Sequence, residues 1–554
     1  MCVAFIAKDD RKPLMTSANQ LPRKQNLLLG LGIFIAAFLI LVITDKNISI
    51  TWDEPAYMMA GESYAEWFGR LVQNPSYALS EHGIRAYWDD NHEHPPFSKI
   101  WSGLVWTAVK SFLPDLTAHR LGNIILNSLL FAMLYFLVQG EYGWWVGLLA
   151  SIFLFSMPRV FFHAHLSALD LVAATMIMGV VLLFWRTRNN SAWWVDIALA
   201  VLWGLAVATK VNAVFVFFVL LIWVPIFHRK GVMERRLFVM GALAIGVFLF
   251  SWPWLYHETL ARIDEYVRFL TIDHWEIGQW YFNEFYMPPP WHFAFVMTAV
   301  VVPFTLFILF FVGIGRVVVQ KVERPFGFYL LLNGFVPMLV LAIGQSMVYD
   351  NDRLFIGSMP FIAALSAIGF YAIIRFLERW LTGRAQQAVV VVLATLILLP
   401  HLWSMVRLYP HLLSYYTEAI GGVAGAVDMG LEATYWNETY NEVIDYLNEN
   451  AVPGDTVYVD RWSHDTMIYY QLQGQLRDDI FFASPSPTTS LFDSRYRTVT
   501  QNFAMTDFVV FQNRGTSYGE LGLDSPYAKW IAQREPKFEM TTHDGVRLIA
   551  IYQR

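Results

Sequence analysis

The chain has 554 residues, of which 56% are hydrophobic and only 15% are charged. A soluble globular domain carries about 25% charged residues, so this chain is poor in charge for its length. The net charge of -6 does not indicate nucleic-acid binding, and the single cysteine, Cys2, has no partner in the chain for a disulfide bond. These values exclude a simple soluble enzyme, a disordered chain and a disulfide-stabilised secreted domain.

Long apolar stretches follow one another along the first three quarters of the chain. Most approach the roughly 20 residues that an α-helix needs to cross a bilayer, so they predict an α-helical polytopic membrane protein with about eleven transmembrane helices. The stretch 97–112 mixes polar with apolar residues and predicts an amphipathic helix on the membrane surface. The predicted spans are 26–44, 117–138, 143–157, 168–185, 192–209, 211–228, 237–255, 292–314, 326–345, 354–374 and 388–407.

The basic residues predict the orientation of the chain in the membrane. If the chain alternates sides, the clusters HRKGVMERR, RVVVQKVER and RFLERW all fall on the side of the N-terminus. Cytoplasmic loops carry the excess of Lys and Arg, so residues 1–25 are predicted to be a cytoplasmic segment and 26–407 the transmembrane domain. Residues 408–554 mix strand-like DTVYVD, FVVF and VRLIAIY with helix-like NEVIDYLNEN. They predict a small extracytoplasmic α/β domain.

The outer loop 45–99 contains an adjacent pair of acids, Asp53 and Glu54, directly after the first span. Charged groups near hydrocarbon are costly unless they are paired or used, so polar residues that recur at one membrane face indicate a site there. The two acids can be solvated or cap a helix. In the functional interpretation, one acts as general base and the other holds it or an acceptor in place.

The same loop ends in a second polar cluster, DDNHEHPPFSK, which contains Glu93, His94 and Lys99. The two prolines break regular structure and can start the following helix, so a capping role is one interpretation. Lys99 would lie in the first turn of that helix, close to the headgroups, where an ammonium can meet a lipid phosphate. It can equally extend to the interface without a catalytic role.

The second outer loop places His163 and His165 one residue apart, with Asp170 at the start of the next span. Two imidazoles and a carboxylate can bind a divalent metal. Hydrogen bonding to a sugar or a phosphate is the other interpretation of these three side chains.

Lys210 and Arg353 are the candidate site cations of the remaining outer loops. Lys210 occupies a short turn between two spans, where it can face the outer water or reach a ligand. Arg353, in YDNDR, can grip a phosphate bidentately or pair within its own loop with Asp350 or Asp352. The aromatic loop 256–291 is either a membrane-interface belt or a lid over a chain or a sugar.

Together these motifs resemble the GT-C superfamily of polyprenyl-phosphate-sugar glycosyltransferases. The resemblance is strongest to the family 39 protein O-mannosyltransferases and the related lipid A aminoarabinose transferases, and it covers about residues 26–420. HLLSYYTEAIGG at 411–422 is similar to a junction in bacterial and archaeal relatives. The other residues that carry the resemblance are the acidic pair Asp53 and Glu54, HPPxxK from His94 to Lys99, Asp170, GLAVATK ending at Lys210, and YDNDR at 349–353.

The resemblance implies a fold, a reaction and a set of residue roles. The donor would be a sugar on a polyprenyl phosphate, and Asp53 would deprotonate an acceptor hydroxyl that attacks with inversion, while Glu54 orients the acceptor. The departing phosphate would be stabilised by Lys99, Lys210 and Arg353. A divalent metal is left open as a cofactor. The pocket would be lined by Glu93, His94, His163, His165, Asp170, Tyr349, Asp350, Tyr415 and Tyr416.

The sequence leaves the acceptor open as a protein, a lipid or a glycan. The localisation predicted is the cell membrane, with membrane lipids and the lipid-linked donor as partners and no nucleic acid. Two other functions are considered. A transporter or flippase of a lipid-linked or polar solute should carry ionisable residues near the bilayer midplane. A non-catalytic scaffold would use its outer domain to recruit a partner.

Overall fold

The computed structural model describes residues 20–228, 232–273, 277–343, 348–380, 383–484, 490–492, 499–500, 503–517 and 526–554. Most of the predicted segment 1–25 therefore lies outside the described residues. The helices are α1 Arg23–Thr44, α2 Glu54–Gln73, α3 Pro75–Ala78, α4 Glu81–Trp88, α5 Phe97–Val109, α6 Asp115–Tyr142, α7 Trp144–Phe155, α8 Pro158–His163, α9 Leu169–Thr187, α10 Trp193–Val207, α11 Val214–Phe227, α12 Val232–Ser251, α13 Thr259–Thr271, α14 Phe293–Val301, α15 Phe304–Val319, α16 Arg324–Ile343, α17 Met359–Leu377, α18 Gly383–Leu408, α19 Gly422–Asp428, α20 Ile444–Asn450, α21 His464–Leu472 and α22 Pro526–Ala532. The strands are β1 Gln279–Tyr281, β2 Glu284–Tyr286, β3 Thr456–Tyr458, β4 Phe481–Ser484, β5 Val499–Thr500, β6 Phe508–Gln512, β7 Phe538–Thr541 and β8 Arg547–Gln553.

The fold is that of a polytopic helical membrane protein, as predicted. Within the described residues, 6 helices are long and apolar enough to cross a membrane, or up to 7 if a bent pair counts as one span. This count does not confirm the eleven predicted spans. The stretch predicted at 292–314 is the bent pair, in which α14 and α15 meet at 119°. Three further apolar stretches form shorter helices, Trp144–Phe155, Trp193–Val207 and Val211–Phe227.

Helix α5 is amphipathic, and its small and polar face is buried between α2 and α6. Ser98, Lys99, Ser102 and Gly103 are its buried residues. A Cβ atom added to Gly103 would lie only 1.9 Å from the carbonyl oxygen of Gly61 in α2. The backbones of α2 and α5 therefore touch directly, which only glycine permits. This contact fixes the loop 89–96 and the start of α2 relative to each other.

The C-terminal residues form the predicted α/β domain, directly after α18. Its sheet has the strand order β5-β4-β3-β6-β8-β7, in which β5, β4, β3 and β6 are parallel and β8 and β7 pair antiparallel. Its apolar core also includes Ile50 and Met58, from the start of α2 and the segment before it. The Tyr470 hydroxyl lies 3.0 Å from that of Ser49, and Tyr469 donates to Asp115 at 3.0 Å. The domain is therefore joined to the helical part by core packing as well as by polar contacts.

Candidate functional site

Asp53 stands immediately before α2, where the chain turns from the short helix Asp45–Asn47 into the new helix. Pro55 follows at the start of α2, where its missing N–H costs no hydrogen bond. The Asp53 side chain is 25% exposed and forms an ion pair with Arg353. A partly exposed carboxylate is thus held in one orientation by a fixed cation.

Arg353 is the centre of the site, because its guanidinium joins three carboxylates. Besides Asp53, it binds Asp170 through Nε at 3.0 Å and Asp350 through Nη1 at 2.9 Å. The second oxygen of Asp170 pairs with Lys210. We call these five residues, Asp53, Asp170, Lys210, Asp350 and Arg353, the ionic centre. All five were predicted as site residues, and they come from four separate parts of the chain.

Aromatic rings and neutral histidines surround the ionic centre. The guanidinium carbon of Arg353 lies 4.4 Å from the ring centroid of Trp436 and 5.8 Å from that of Tyr349. The ring of His163 lies 5.2 Å from that of Trp436. Burial, together with the nearby cations, lowers the pKa of His94 well below its usual value, and burial lowers that of His163 to about 4. Both imidazoles are therefore neutral at physiological pH.

The charges of the centre are held in surroundings that disfavour ionisation. Burial raises the pKa of Asp53 to about 6, although Arg353 opposes this shift. Burial also raises the pKa of Asp350, and Arg514 and Arg353 oppose that shift. A carboxyl group with a pKa near 6 is still mostly ionised at neutral pH and is a stronger base than an ordinary aspartate.

The backbone next to Arg353 adopts a left-handed conformation in two places. Asp350 and Asn351 have φ of 55° and 56°, and Trp436 and Asn437 have φ of 60° and 62°. Residues other than glycine seldom adopt this conformation, which costs on the order of 1–3 kcal/mol each when the residue is not suited to it. The chain is thus bent at the positions that direct Asp350 and Trp436 toward Arg353.

A small, largely apolar cavity of about 40 Å³ lies between the ionic centre and the helical part. Asp170, Lys210 and Arg353 line it together with Asn212 and Asn333. The rest of its wall is mostly apolar and comes from α9, α11, α16 and the short helix Arg353–Ser358. It includes Ala173, Ala174, Ile177, Phe215, Val216, Val219, Pro337, Leu354, Phe355 and Ile356.

Glu54 does not join the ionic centre, although it follows Asp53 in the chain. It is 0% exposed, and Arg120 binds both of its oxygens at 2.8 and 2.7 Å. The backbone N–H groups of Thr51 and Ser167 donate to the same carboxylate at 2.9 and 2.8 Å. Both oxygens are thus occupied by the protein, so the contacts of Glu54 assign it to holding the 49–54 turn rather than to orienting an acceptor.

The Lys99 side chain also binds other parts of the protein and does not line the cavity. Its ammonium donates to the carbonyl oxygens of Asn91 and His94 at 2.6 and 2.8 Å and to the Asn91 side chain at 2.9 Å. It is 1% exposed, and burial lowers its pKa to about 7. Asn91 in turn donates to Glu93 at 3.0 Å. This arrangement differs from the predicted phosphate contact, because all three ammonium protons are used to fold the loop that carries His94.

The predicted histidine pair does not fit a metal ion. His165 is buried, and its two ring nitrogens lie 2.8 Å from the Thr44 hydroxyl and 2.9 Å from the Phe161 carbonyl. The oxygens of Asp170 are taken by Lys210 and Arg353. Within the described part of the chain, no group of three or more His, Cys, Asp and Glu side chains could hold a metal.

The tyrosines of the predicted junction do not belong to the ionic centre. They lie around a second buried ion pair, between Arg159 and Asp352. Arg159 donates to the carbonyl oxygen of Tyr415 at 3.1 Å, and its guanidinium lies 4.7 Å from the ring of Tyr416. The Tyr416 hydroxyl donates to the carbonyl oxygen of Glu432 at 2.8 Å. These contacts give Tyr415 and Tyr416 a supporting position.

The sequence analysis did not identify three residues that touch the predicted ones. Arg120 could have been found, since a charged residue within a predicted span indicates a buried partner or a function. Trp436 and Arg514 had no comparable signal, because each lies in the C-terminal part, far along the chain from Arg353 and Asp350, and is brought there only by the fold.

Comparisons with known proteins agree with this architecture. Residues 93–257 match a family model described as dolichyl-phosphate-mannose-protein mannosyltransferase. No curated protein sequence matches the chain. Among solved structures, ArnT from Cupriavidus metallidurans in the apo state is similar with a TM-score of 0.50 and 13% identity, over 94% of this chain and 97% of that one.

Two further solved structures are similar at lower scores. ArnT from Cupriavidus metallidurans bound to undecaprenyl phosphate has a TM-score of 0.49 and 14% identity, over 96% of this chain and 98% of that one. The Archaeoglobus fulgidus oligosaccharyltransferase tethered with an acceptor peptide has a TM-score of 0.43 and 12% identity, over 87% and 69%. The family match and the apo ArnT fold confirm the resemblance to the GT-C membrane glycosyltransferases.

Proposed function

We propose that this membrane glycosyltransferase-like chain transfers a sugar from a polyprenyl-phosphate donor to an acceptor hydroxyl at the extracytoplasmic face of the cell membrane, with inversion. The single observation that carries the proposal is the position of the ionic centre. A carboxylate with a raised pKa and two cations stand together beside an apolar cavity. The acceptor is an alcohol of a protein, a lipid or a glycan.

The lining of the cavity matches the two chemical parts of the donor, and the cavity, at about 40 Å³, must widen to admit it. A polyprenyl chain is apolar and matches the wall from α9, α11 and α16, whereas its phosphate is an anion and needs fixed positive charge. Lys210 and Arg353 line the mouth of the cavity and supply that charge. Both are paired with Asp170, so they are oriented toward one point.

The reaction assigns one role to Asp53. An Asp53 oxygen takes the proton of the acceptor hydroxyl as the acceptor oxygen forms its bond to the anomeric carbon. The bond from that carbon to the phosphate oxygen breaks, and the phosphate leaves with the electron pair. Arg353 contacts Asp53 and faces the cavity, so one guanidinium orients the base and stabilises the leaving anion.

The test is sugar transfer by the purified protein in lipid discs, with a panel of polyprenyl-phosphate sugars and release of polyprenyl phosphate as the readout. We expect Asp53→Asn to lower kcat by about 10²- to 10⁴-fold, because a positioned base contributes that much. Glu62→Gln, a more exposed acid on the same helix, is the matched control and should keep the activity. Full activity of Asp53→Asn would remove Asp53 from the mechanism.

A further inference from the structure

Arg514 reaches the ionic centre from the C-terminal domain. It follows β6, which lies inside the six-stranded sheet, and it is 2% exposed. Its Nη2 donates to one oxygen of Asp350 at 3.1 Å, and the other oxygen of Asp350 accepts from Arg353 at 2.9 Å. Arg514 is thus connected through one carboxylate to the guanidinium that holds Asp53.

The segment that carries Arg514 is fixed on several sides. The backbone N–H of Thr516 donates to Glu432 at 2.7 Å, and the Thr516 hydroxyl accepts from the backbone N–H of Trp280 at 3.0 Å. A Cβ atom added to Gly515 would lie 2.3 Å from the Trp280 side chain, so this close approach requires a glycine. The Arg514 guanidinium itself lies 4.3 Å from the ring of Trp52, the residue before Asp53.

Asp350 shows what Arg514 does for the centre. It is fully buried between two guanidinium groups. Without Arg514, the cationic partner left to this carboxylate among the described residues would be Arg353, for whose guanidinium Asp53 and Asp170 compete. Breaking a buried ion pair on one side leaves an uncompensated charge that draws its remaining partner closer.

We propose that Arg514 is a positioning residue: by neutralising Asp350 from the C-terminal domain, it keeps Arg353 directed at Asp53 and at the donor phosphate. The C-terminal domain therefore completes the active site and is more than an attached module. The catalytic part of this inference rests on the proposed function, whereas the effect of Arg514 on the surroundings of residue 53 does not.

The first test compares Arg514→Gln and Arg514→Lys with wild type in the transfer assay over pH 4.5–9. Without Arg514, Arg353 withdraws toward Asp350, and the pKa of Asp53 rises. The fall of kcat/KM at low pH, which is the acid limb of the pH profile, therefore moves to higher pH by about one unit. KM for the donor also rises, and Arg514→Lys recovers part of both effects. The charged and titratable groups that face Asp53 are Arg353, Asp350, Asp170, Tyr57 and Tyr349.

Two variants separate positioning from loss of domain contact. Tyr469→Phe removes the hydrogen bond to Asp115, which also joins the C-terminal domain to the helical part but lies outside the ionic centre, and it should leave the acid limb unchanged. Adding Asp350→Asn to Arg514→Gln removes the uncompensated charge next to Arg353 and should return the limb toward wild type. Glu432, which lies 3.8 Å from the Arg514 Nε, keeps its hydrogen bonds from Gln279 and Thr516 in this variant. A wild-type limb and KM in Arg514→Gln, or the same shift in Tyr469→Phe, would overturn the proposal.

The second test needs no enzyme activity. The chain has one native cysteine, so Asp53→Cys in a Cys2→Ser background places a single thiol at the centre. The pKa of this thiol is read from the pH dependence of its reaction with a small methanethiosulfonate, in which the thiolate forms a mixed disulfide and methanesulfinate leaves. We expect Arg514→Gln to raise that thiol pKa by about one unit and Arg514→Lys by less. If the thiol pKa shifts but no donor supports sugar transfer, the proposed function is rejected and the role of Arg514 stands. An unchanged thiol pKa in whichever of the two variants folds would reject the role of Arg514.

Discussion

Asp53 and Glu54 carry the same functional group in adjacent positions, yet their surroundings differ. Asp53 precedes α2 and points to Arg353 from a partly exposed position. Glu54 is the first residue of α2, and its carboxylate is buried in an ion pair with Arg120. Successive residues at a helix start point in directions about 100° apart, so two neighbouring acids meet different cations. The pairing partner, and not the residue type, decides which acid can act as a base.

The raised pKa of Asp53 predicts the pH dependence of transfer. The base acts only when it is ionised, so kcat/KM should fall as the pH drops through about 6 and should be level above it. An unperturbed aspartate would instead give an acid limb near 4. A kcat/KM profile measured from pH 4.5 to 8 distinguishes the two. A flat profile over that range would contradict a base with a pKa of about 6.

At the scale of elements, the contact between α2 and α5 positions the loop 89–96 relative to Asp53. Gly61 and Gly103 let the two backbones touch, and Lys99 in α5 closes the loop 89–96 with its three hydrogen bonds. Asp53 lies two turns before Gly61. A shift of α5 away from α2 would therefore move His94 relative to the start of α2 and to Asp53.

This contact predicts the effect of Gly103→Ala. The added Cβ atom would lie 1.9 Å from the Gly61 carbonyl oxygen, so the helices must separate, and overpacking of this kind costs about 1–3 kcal/mol. We expect a lower melting temperature in detergent together with reduced transfer. Gly69→Ala, on α2 with nothing within 4 Å of the new Cβ, is the matched control and should be neutral or stabilise by up to about 1 kcal/mol. Equal melting temperatures for the two variants would refute this role of the contact.

At the scale of the whole molecule, the ionic centre lies where three bodies of structure meet. The helical part provides Asp170 and Lys210, the loop 45–99 provides Asp53, and the C-terminal domain contacts Asp350 through Arg514. The C-terminal domain also shares its apolar core with Ile50 and Met58. A site assembled in this way requires the C-terminal domain on the same side of the membrane as the outer loop.

The orientation of the chain follows as a prediction that labelling can check. In a Cys2→Ser background, Val452→Cys in the C-terminal domain and Trp380→Cys after α17 each place one thiol at an exposed position. We expect a membrane-impermeant maleimide to label the Val452 variant in intact cells and the Trp380 variant only after permeabilisation, because the basic clusters stay inside. Labelling in the opposite order would invert the predicted topology.

The membrane class, the apolar helices, the α/β nature of residues 408–554 and all five members of the ionic centre were predictable from the sequence alone. These properties depend on composition, on local hydrophobic patterns and on motifs that recur at one end of the spans. The tertiary structure decided which charged side chains meet. It turned Glu54 to Arg120 and Lys99 to its own loop, and it brought Arg514 to Asp350 across 164 positions. Local patterns do not encode such pairings, since they depend on helix rotation and on the docking of distant segments, and only the folded chain sets both.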